Sequence, residues 1–174
     1  MTNASKTKGN NAERELARIM IDKFGGSWLR TPTSGAITGK SNNWRAKTMS
    51  KSQLLNATND ITPPDEYSKC ALESKFYKEL DFHNLYRGKG CTTLNGWIDQ
   101  VKESGINMDE SFPMICIKIN RLGWFCCLWF EKIKTLNLSD INHTVYNYNG
   151  EKFIITDLLD FLDKFNQELR NFFS

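Results

Sequence analysis

Apolar and polar positions recur along this chain with two different periods, which predicts helices and strands in mixed order. From Asn10 or Asn11 to Phe24 the apolar residues fall on one arc at helical spacing, and Gly25 follows them. Residues 93–104 and 156–173 show the same helical period, with Thr93 and Thr156 as the expected N-caps. Extended segments are predicted between the helices: residues 27–31, a short segment that ends at Asp60, and a strand that carries Glu73-Ser74-Lys75. Residues 112–120 and 124–130 are expected to form a hairpin with Gly123 at positive φ, and residues 144–148 and 152–155 a second hairpin across Asn149-Gly150. This order predicts an α/β fold, with a central mixed sheet of about five strands flanked by helices.

One predicted strand carries the sequence Glu73-Ser74-Lys75. Side chains alternate along a strand, so Glu73 and Lys75 are expected on one face and Ser74 on the other. Asp60 comes from the neighbouring extended segment. Carboxylate oxygens are the ligands that Mg²⁺ prefers, and an ammonium beside them suits phosphodiester hydrolysis. The same spacing also occurs in strands whose acid and base form only a weak surface ion pair.

A further acid, Glu13, falls inside the apolar arc of the first predicted helix. Acidic side chains are favoured near helix N-termini, which is one explanation of its position. The other explanation is that Glu13 reaches the same site as Asp60 and Glu73.

The net charge of +3 is unevenly distributed. Residues 1–51 carry a net charge of +7, and the remaining residues carry −4. A basic N-terminal third predicts contact with a polyanion, although a solvated basic tail gives the same count. Residues 1–9 are expected to be a flexible basic terminus. Residues 36–58 form a polar, basic insertion whose cations suit phosphate contact, the alternative being a disordered insertion without a role.

The bulk composition predicts one domain of 174 residues. No apolar run approaches the roughly 20 residues needed to cross a bilayer, and the N-terminus has no hydrophobic signal segment. We therefore expect a cytoplasmic protein without a membrane partner. The five cysteines show no C-x-x-C spacing, so buried free thiols are expected.

Four short motifs appear in the order of a known superfamily. Lys8-Gly9 precedes a helix with Glu13-Arg14-Glu15-Leu16, and Arg30 and Ser34 form an Arg-x-x-x-Ser element. Asp60-Ile61 and Glu73-Ser74-Lys75 follow. Over roughly residues 8–78 the chain resembles the PD-(D/E)xK nucleases, and among them the archaeal-type Holliday junction resolvases. Three features depart from that pattern: Asn59 replaces a Pro or Gly, the segment from Ser34 to Asp60 is longer, and residues 79–174 form a larger region.

The resemblance implies a restriction-endonuclease-like core and a set of site residues. Asp60, Glu73 and the Ser74 carbonyl would bind Mg²⁺, or Mn²⁺ in its place. Glu13 would complete the metal site, and Lys75 would be the catalytic lysine. Gln100, on a helix after the E-x-K strand, is a possible accessory residue. The expected DNA contacts are Lys6, Lys8, Arg14, Arg30, Ser34, Lys40, Arg45, Lys47 and Lys51.

The expected activity is Mg²⁺-dependent, structure-specific cleavage of DNA by a homodimer. The expected substrates are Holliday junctions or other branched DNA. If the chain is encoded by a phage, it would act in the host cytoplasm. One alternative is a restriction-like or repair nuclease on duplex or single-stranded DNA. Another is a DNA-binding module on a nuclease fold without catalysis.

Overall fold

The computed structural model describes residues 3–31 and 59–174, which form a mixed β-sheet flanked by helices. This confirms the predicted α/β class. The strands are β1 Leu29–Arg30, β2 Ile61–Thr62, β3 Cys70–Tyr77, β4 Phe112–Ile119, β5 Gly123–Trp129, β6 His143–Tyr148 and β7 Glu151–Asp157. The helices are α1 Asn3–Phe24, α2 Phe82–Tyr86, α3 Thr92–Glu103, α4 Phe130–Ile133, α5 Leu158–Lys164 and α6 Asn166–Phe173.

The described strands lie in the order β1-β2-β3-β4-β5-β7-β6. Only β3 and β4 pair in parallel among them, and α3 lies on the crossover that joins the two. The sheet has seven strands rather than about five, because the C-terminal hairpin joins it through pairing of β7 with β5. The strand that carries Glu73 therefore lies inside the sheet, where both of its neighbours fix its position.

Each face of the sheet is covered by its own apolar core. On one face, α1, α5 and α6 pack against Leu72 of β3 and Cys126 of β5. On the other face, α3 packs against Ile117 of β4 and Cys127 of β5. Adjacent Cys126 and Cys127 thus point to opposite faces, as strand alternation predicts. All five cysteines are free and buried.

Both predicted hairpins are confirmed. Gly123 ends the turn between β4 and β5 with φ of 106°, and Arg121 in the same turn has φ of 65°. Asn149 and Gly150 join β6 to β7 with φ of 49° and 79°. Positive φ at both positions gives the turn whose twist matches an antiparallel pair.

The first helix begins at Asn3 rather than at Asn10 or Asn11, so most of the stretch expected to be flexible lies within it. Gly9 is tolerated in the helix interior, where glycine costs roughly 1 kcal/mol relative to alanine. Helix α3 follows Cys91, whose side chain makes no capping hydrogen bond, so Thr93 is not its N-cap as predicted. None of the described helices is long and apolar enough to cross a bilayer.

The C-terminal helix, predicted at residues 156–173, differs at its start and in its middle. Thr156 belongs to β7, where its hydroxyl donates to the Asn142 carbonyl at 2.7 Å. The cap is Asp157, whose Oδ1 accepts from the backbone N–H groups of Leu159 and Asp160 at 2.8 and 3.1 Å. The helix is then interrupted at Phe165, which separates α5 from α6 and buries its ring in the core.

Candidate active site

The centre of the site is the pair Glu73 and Lys75 on β3. Lys75 Nζ donates to Glu73 Oε1 at 2.6 Å, so the two side chains share one strand face as predicted. Only 15% of the Lys75 side chain and 12% of the Glu73 side chain is exposed. This burial distinguishes the pair from an ordinary surface ion contact, because desolvated charges interact more strongly.

Gln100 of α3 contacts both members of this pair. Its Oε1 accepts from Lys75 Nζ at 2.9 Å, and its Nε2 donates to Glu73 Oε1 at 2.8 Å. The amide therefore holds both charged groups at once. The structure thus brings Gln100 next to the E-x-K strand, where sequence reasoning placed it only as a possible accessory.

Asp60 lies immediately before β2 and is fixed through its backbone and its side chain. Its backbone N–H donates to the Leu72 carbonyl at 3.0 Å, and its carbonyl accepts from the Thr31 N–H at 2.9 Å. Its Oδ2 accepts from the Ser74 backbone N–H at 2.8 Å. The residue is 9% exposed. Asp60 is thereby held beside β3 at Ser74, the residue between Glu73 and Lys75.

Glu13 reaches the same region from α1, and it is paired with a cation. Its Oε2 accepts from Arg30 Nε, and Arg30 Nη2 also donates to Asn10 Oδ1 at 2.8 Å. The Glu13 side chain is 16% exposed and that of Arg30 26%. Arg30 is therefore engaged with α1 in this structure, and its contact with DNA stays a prediction.

The three acids interact electrostatically at Glu73. Burial, and after it the negative charge of Asp60, raises the pKa of the Glu73 carboxyl to about 7. Lys75 opposes this rise, whereas Glu13 adds to it. A carboxyl whose ionised form is disfavoured by buried neighbours of the same sign is stabilised when a cation binds beside it.

The described residues do not form a complete metal site by themselves. Within residues 3–31 and 59–174, no three His, Cys, Asp or Glu side chains lie close enough together to hold an ion. The donor types nevertheless fit a hard divalent cation, because Asp60, Glu73 and the Ser74 carbonyl offer only oxygen atoms. A bound Mg²⁺ keeps several waters, so a partial set of protein ligands is sufficient for it.

A second polar cluster, which the sequence did not reveal, holds α1 on the sheet. Glu15 Oε1 accepts from Trp124 Nε1 at 2.9 Å, and Glu15 Oε2 pairs with Lys118 Nζ. Burial raises the pKa of Glu15, but the hydrogen bonds from Lys118 and Trp124 outweigh it and hold that pKa below its usual value. Lys118 is thus a lysine at the edge of the core. Because Glu15 is two residues from Glu13, this cluster fixes the helix that carries Glu13.

The predicted DNA contacts are only partly described. Lys8 and Arg14 are exposed on α1, and Lys6 lies in the same helix. Ser34, Lys40, Arg45, Lys47 and Lys51 lie outside the described residues, as does the whole basic insertion at 36–58. His83 is exposed on α2.

A mixed sheet with a buried Glu-x-Lys strand, a neighbouring aspartate and a glutamate on the first helix defines a nuclease of the PD-(D/E)xK class. Comparison with sequence families gives the same class. The family described as "Phage putative PDDEXK endonuclease" matches residues 4–171, and the chain belongs to this family. It is also similar to Protein D14 of Escherichia phage T5, with 27% identity over 154 residues and 87% of each chain covered. No solved structure gives a significant match.

Proposed function

We propose that this protein is a divalent-metal-dependent endonuclease that hydrolyses phosphodiester bonds in DNA. The observation that carries the proposal is the buried contact of Lys75 with Glu73, beside the fixed carboxylate of Asp60. Burying an ammonium and carboxylates costs desolvation free energy. Charged groups buried in this way cluster at functional sites. Membership of a phage endonuclease family supports the same activity.

In this proposal the oxygen ligands come from β3 and from the residue before β2. Asp60, Glu73 and the Ser74 carbonyl would hold Mg²⁺, or Mn²⁺ in its place, and Glu13 would contact it through water. When bound, the ion supplies an activated water and neutralises charge on the phosphate. The fixed position of Asp60 supports its role, since the Ser74 N–H orients its carboxylate beside the strand that carries Glu73.

Lys75 would stabilise the negative charge that develops on the phosphate as water adds to it. Its Nζ already has two acceptors, Glu73 Oε1 and Gln100 Oε1, which fix it in place before substrate arrives. A preorganised donor of this kind in a water-poor site is worth far more than the same donor in solvent. Gln100 would act as a positioning residue for Lys75 and Glu73.

Branched DNA is the substrate that we propose, most of all Holliday junctions. The support comes from the sequence of residues 8–78, whose motifs resemble those of junction resolvases. Paired cuts on symmetric strands require two sites, so we propose that the active form is a homodimer. Basic residues of the 1–51 region would hold the DNA backbone without reading its sequence, so affinity should fall steeply with salt.

The test is cleavage of labelled four-way, flap, duplex and single-stranded DNA by the full chain, with Mg²⁺, Mn²⁺ or EDTA. We expect metal-dependent cutting, fastest on the four-way junction, and a dimer in analytical ultracentrifugation. Equal rates on all substrates would remove the junction specificity and leave a restriction-like or repair nuclease. DNA binding without cutting in either metal would instead indicate a non-catalytic DNA-binding module.

A further inference from the structure

Tyr77 is an exposed aromatic residue on the same strand face as the proposed catalytic pair. It follows Lys75 by two residues on β3, so strand alternation places it with Glu73 and Lys75. Its ring contacts Trp97 of α3 at 4.9 Å between centroids, with 64° between the planes. Trp97 is three residues before Gln100, so the two side chains lie on the same face of α3. Trp97 contacts Tyr77, and Gln100 contacts Lys75 and Glu73.

The two aromatic partners differ in burial. Trp97 is 6% exposed and belongs to the core beneath α3, whereas Tyr77 is 44% exposed. The contact with Trp97 fixes the Tyr77 ring on one side, and the remainder of the side chain is open. A rigid, half-open aromatic ring beside a phosphate-binding site is the arrangement with which proteins stack single-stranded bases.

The surroundings of Tyr77 suit a nucleic acid backbone. Lys78 follows it and is exposed, and the Asn120 N–H donates to the Tyr77 carbonyl at 3.0 Å. That hydrogen bond brings the turn after β4 next to Tyr77, and this turn carries the exposed Arg121. Two cations therefore lie on the chain segments that flank the ring.

We propose that Tyr77 is a stacking platform for an unpaired base close to the cleaved phosphate, so that the substrate class is branched DNA in which a base is unpaired at the branch point. Tyr77 lies roughly 7 Å from Lys75 along the strand, about two base steps of ~3.4 Å. A base inside an intact duplex has both faces covered by its neighbours, so a side chain can stack on it only after it leaves the helix. This inference rests on the proposed function, because it assumes that DNA is bound at Glu73 and Lys75.

The test compares two single-stranded probes of about 12 nucleotides, one with bases and one an abasic chain of the same length. Binding is measured by fluorescence anisotropy in Ca²⁺ with wild type, Tyr77→Phe, Tyr77→Leu and the control Leu159→Ala. Leu159 is 41% exposed on α5, which makes it a matched apolar surface residue away from β3. We expect Tyr77→Leu to weaken binding of the normal probe about 5- to 150-fold. Tyr77→Phe and Leu159→Ala should leave it unchanged.

The abasic probe separates stacking from a merely structural role. If Tyr77 stacks on a base, the abasic chain binds wild type more weakly, and Tyr77→Leu loses no further affinity for it. If Tyr77 only supports Trp97, Tyr77→Leu weakens both probes by the same factor, which would overturn the inference. Cleavage of the normal probe in Mg²⁺ tests the proposed function separately. If the probe is cut but Tyr77→Leu weakens both probes equally, only the stacking role is removed. If Tyr77→Leu weakens the normal probe alone but no probe is cut, only the nuclease activity is removed.

Discussion

The carboxylate of Asp60 accepts a hydrogen bond from the backbone N–H of Ser74, and this contact ties the aspartate to the strand of the candidate active site. Ser74 lies between Glu73 and Lys75, so one hydrogen bond fixes Asp60 relative to both. The donor is a backbone N–H, so its position does not depend on the side-chain rotamer of Ser74. Substitutions that keep this hydrogen bond but change the charge should separate folding from chemistry.

Asp60→Asn is the first such substitution. The asparagine Oδ1 can still accept from the Ser74 N–H, but the residue loses its negative charge and its strength as a metal ligand. We expect the rate of DNA cleavage to fall by roughly a hundredfold or more, as for loss of one strong electrostatic contact in an active site. Circular dichroism melting should show a fold at least as stable as wild type. A rate within a few-fold of wild type would remove Asp60 from the site.

Lys75→Ala removes the ammonium and leaves the carboxylates. We expect the single-turnover cleavage rate to fall by about 10²–10³, the effect of removing one preorganised donor to a developing charge. The matched control is Lys102→Ala on α3, since Lys102 pairs with Glu151 and is 40% exposed. That control should cleave at the wild-type rate. Comparable losses in the two variants would show that Lys75 contributes only general positive charge.

Gln100→Leu keeps the size of the side chain and removes its hydrogen bonds to Lys75 and Glu73. A hydrogen bond to a charged group contributes on the order of 1.5 kcal/mol, so we expect about a tenfold lower kcat. KM should change little, because Gln100 acts on Lys75 rather than on DNA. A pH profile of the rate should shift as well, since Glu73 loses a donor. An unchanged kcat and profile would mean that Gln100 has no positioning role.

The raised pKa of Glu73 predicts how stability depends on pH in EDTA. The folded protein holds a proton on Glu73 up to pH about 7, whereas the unfolded chain releases it near the ordinary glutamate pKa of 4.5. The native state thus binds more protons in this window, and the free energy of unfolding falls as pH rises through it. Glu73→Gln cannot ionise and should be more stable than wild type above pH 7, by up to about 3 kcal/mol.

Urea denaturation at pH about 5 and about 8 measures this difference. The exposed Glu168→Gln on α6 serves as the control and should follow the wild-type curve at both pH values. If Glu73→Gln showed the same change with pH as wild type, the carboxyl would have an ordinary pKa. Divalent metal should restore the stability that wild type loses, because the ion binds the ionised form.

Asp157→Ala tests the cap of the C-terminal helix. The carboxylate accepts from two backbone N–H groups, so its loss should cost about 1 kcal/mol of unfolding free energy. Asn171→Ala, at an exposed position of α6, should cost much less. A loss below about 0.3 kcal/mol for Asp157→Ala would show that water replaces the cap without penalty.

Strand alternation predicted which side chains share a face of the sheet, because it is a local property of the chain. Glu73 and Lys75 share a face, Cys126 and Cys127 do not, and both hairpins have the expected turns. The PD-(D/E)xK superfamily is confirmed as well, whereas the likeness to junction resolvases and the specificity for branched DNA stay proposals.

The parts that the sequence could not predict depend on contacts between distant segments. The pairing of Glu13 with Arg30 and the cluster of Glu15, Lys118 and Trp124 join residues far apart in the chain. The N-cap at Asp157 was missed because Thr156 is an equally good cap by residue type. Pairing of β6 with β7 extends that strand through Thr156, so the helix begins after it.

Calorimetric titration of Mn²⁺ into the full chain tests most directly whether Asp60 and Glu73 hold a divalent ion. At pH about 8, where Glu73 is ionised, we predict saturable binding to wild type and to Lys75→Ala. Asp60→Asn should bind at least about tenfold more weakly, as metal-site variants do. Binding of equal strength in Asp60→Asn and wild type would contradict the assignment of this site.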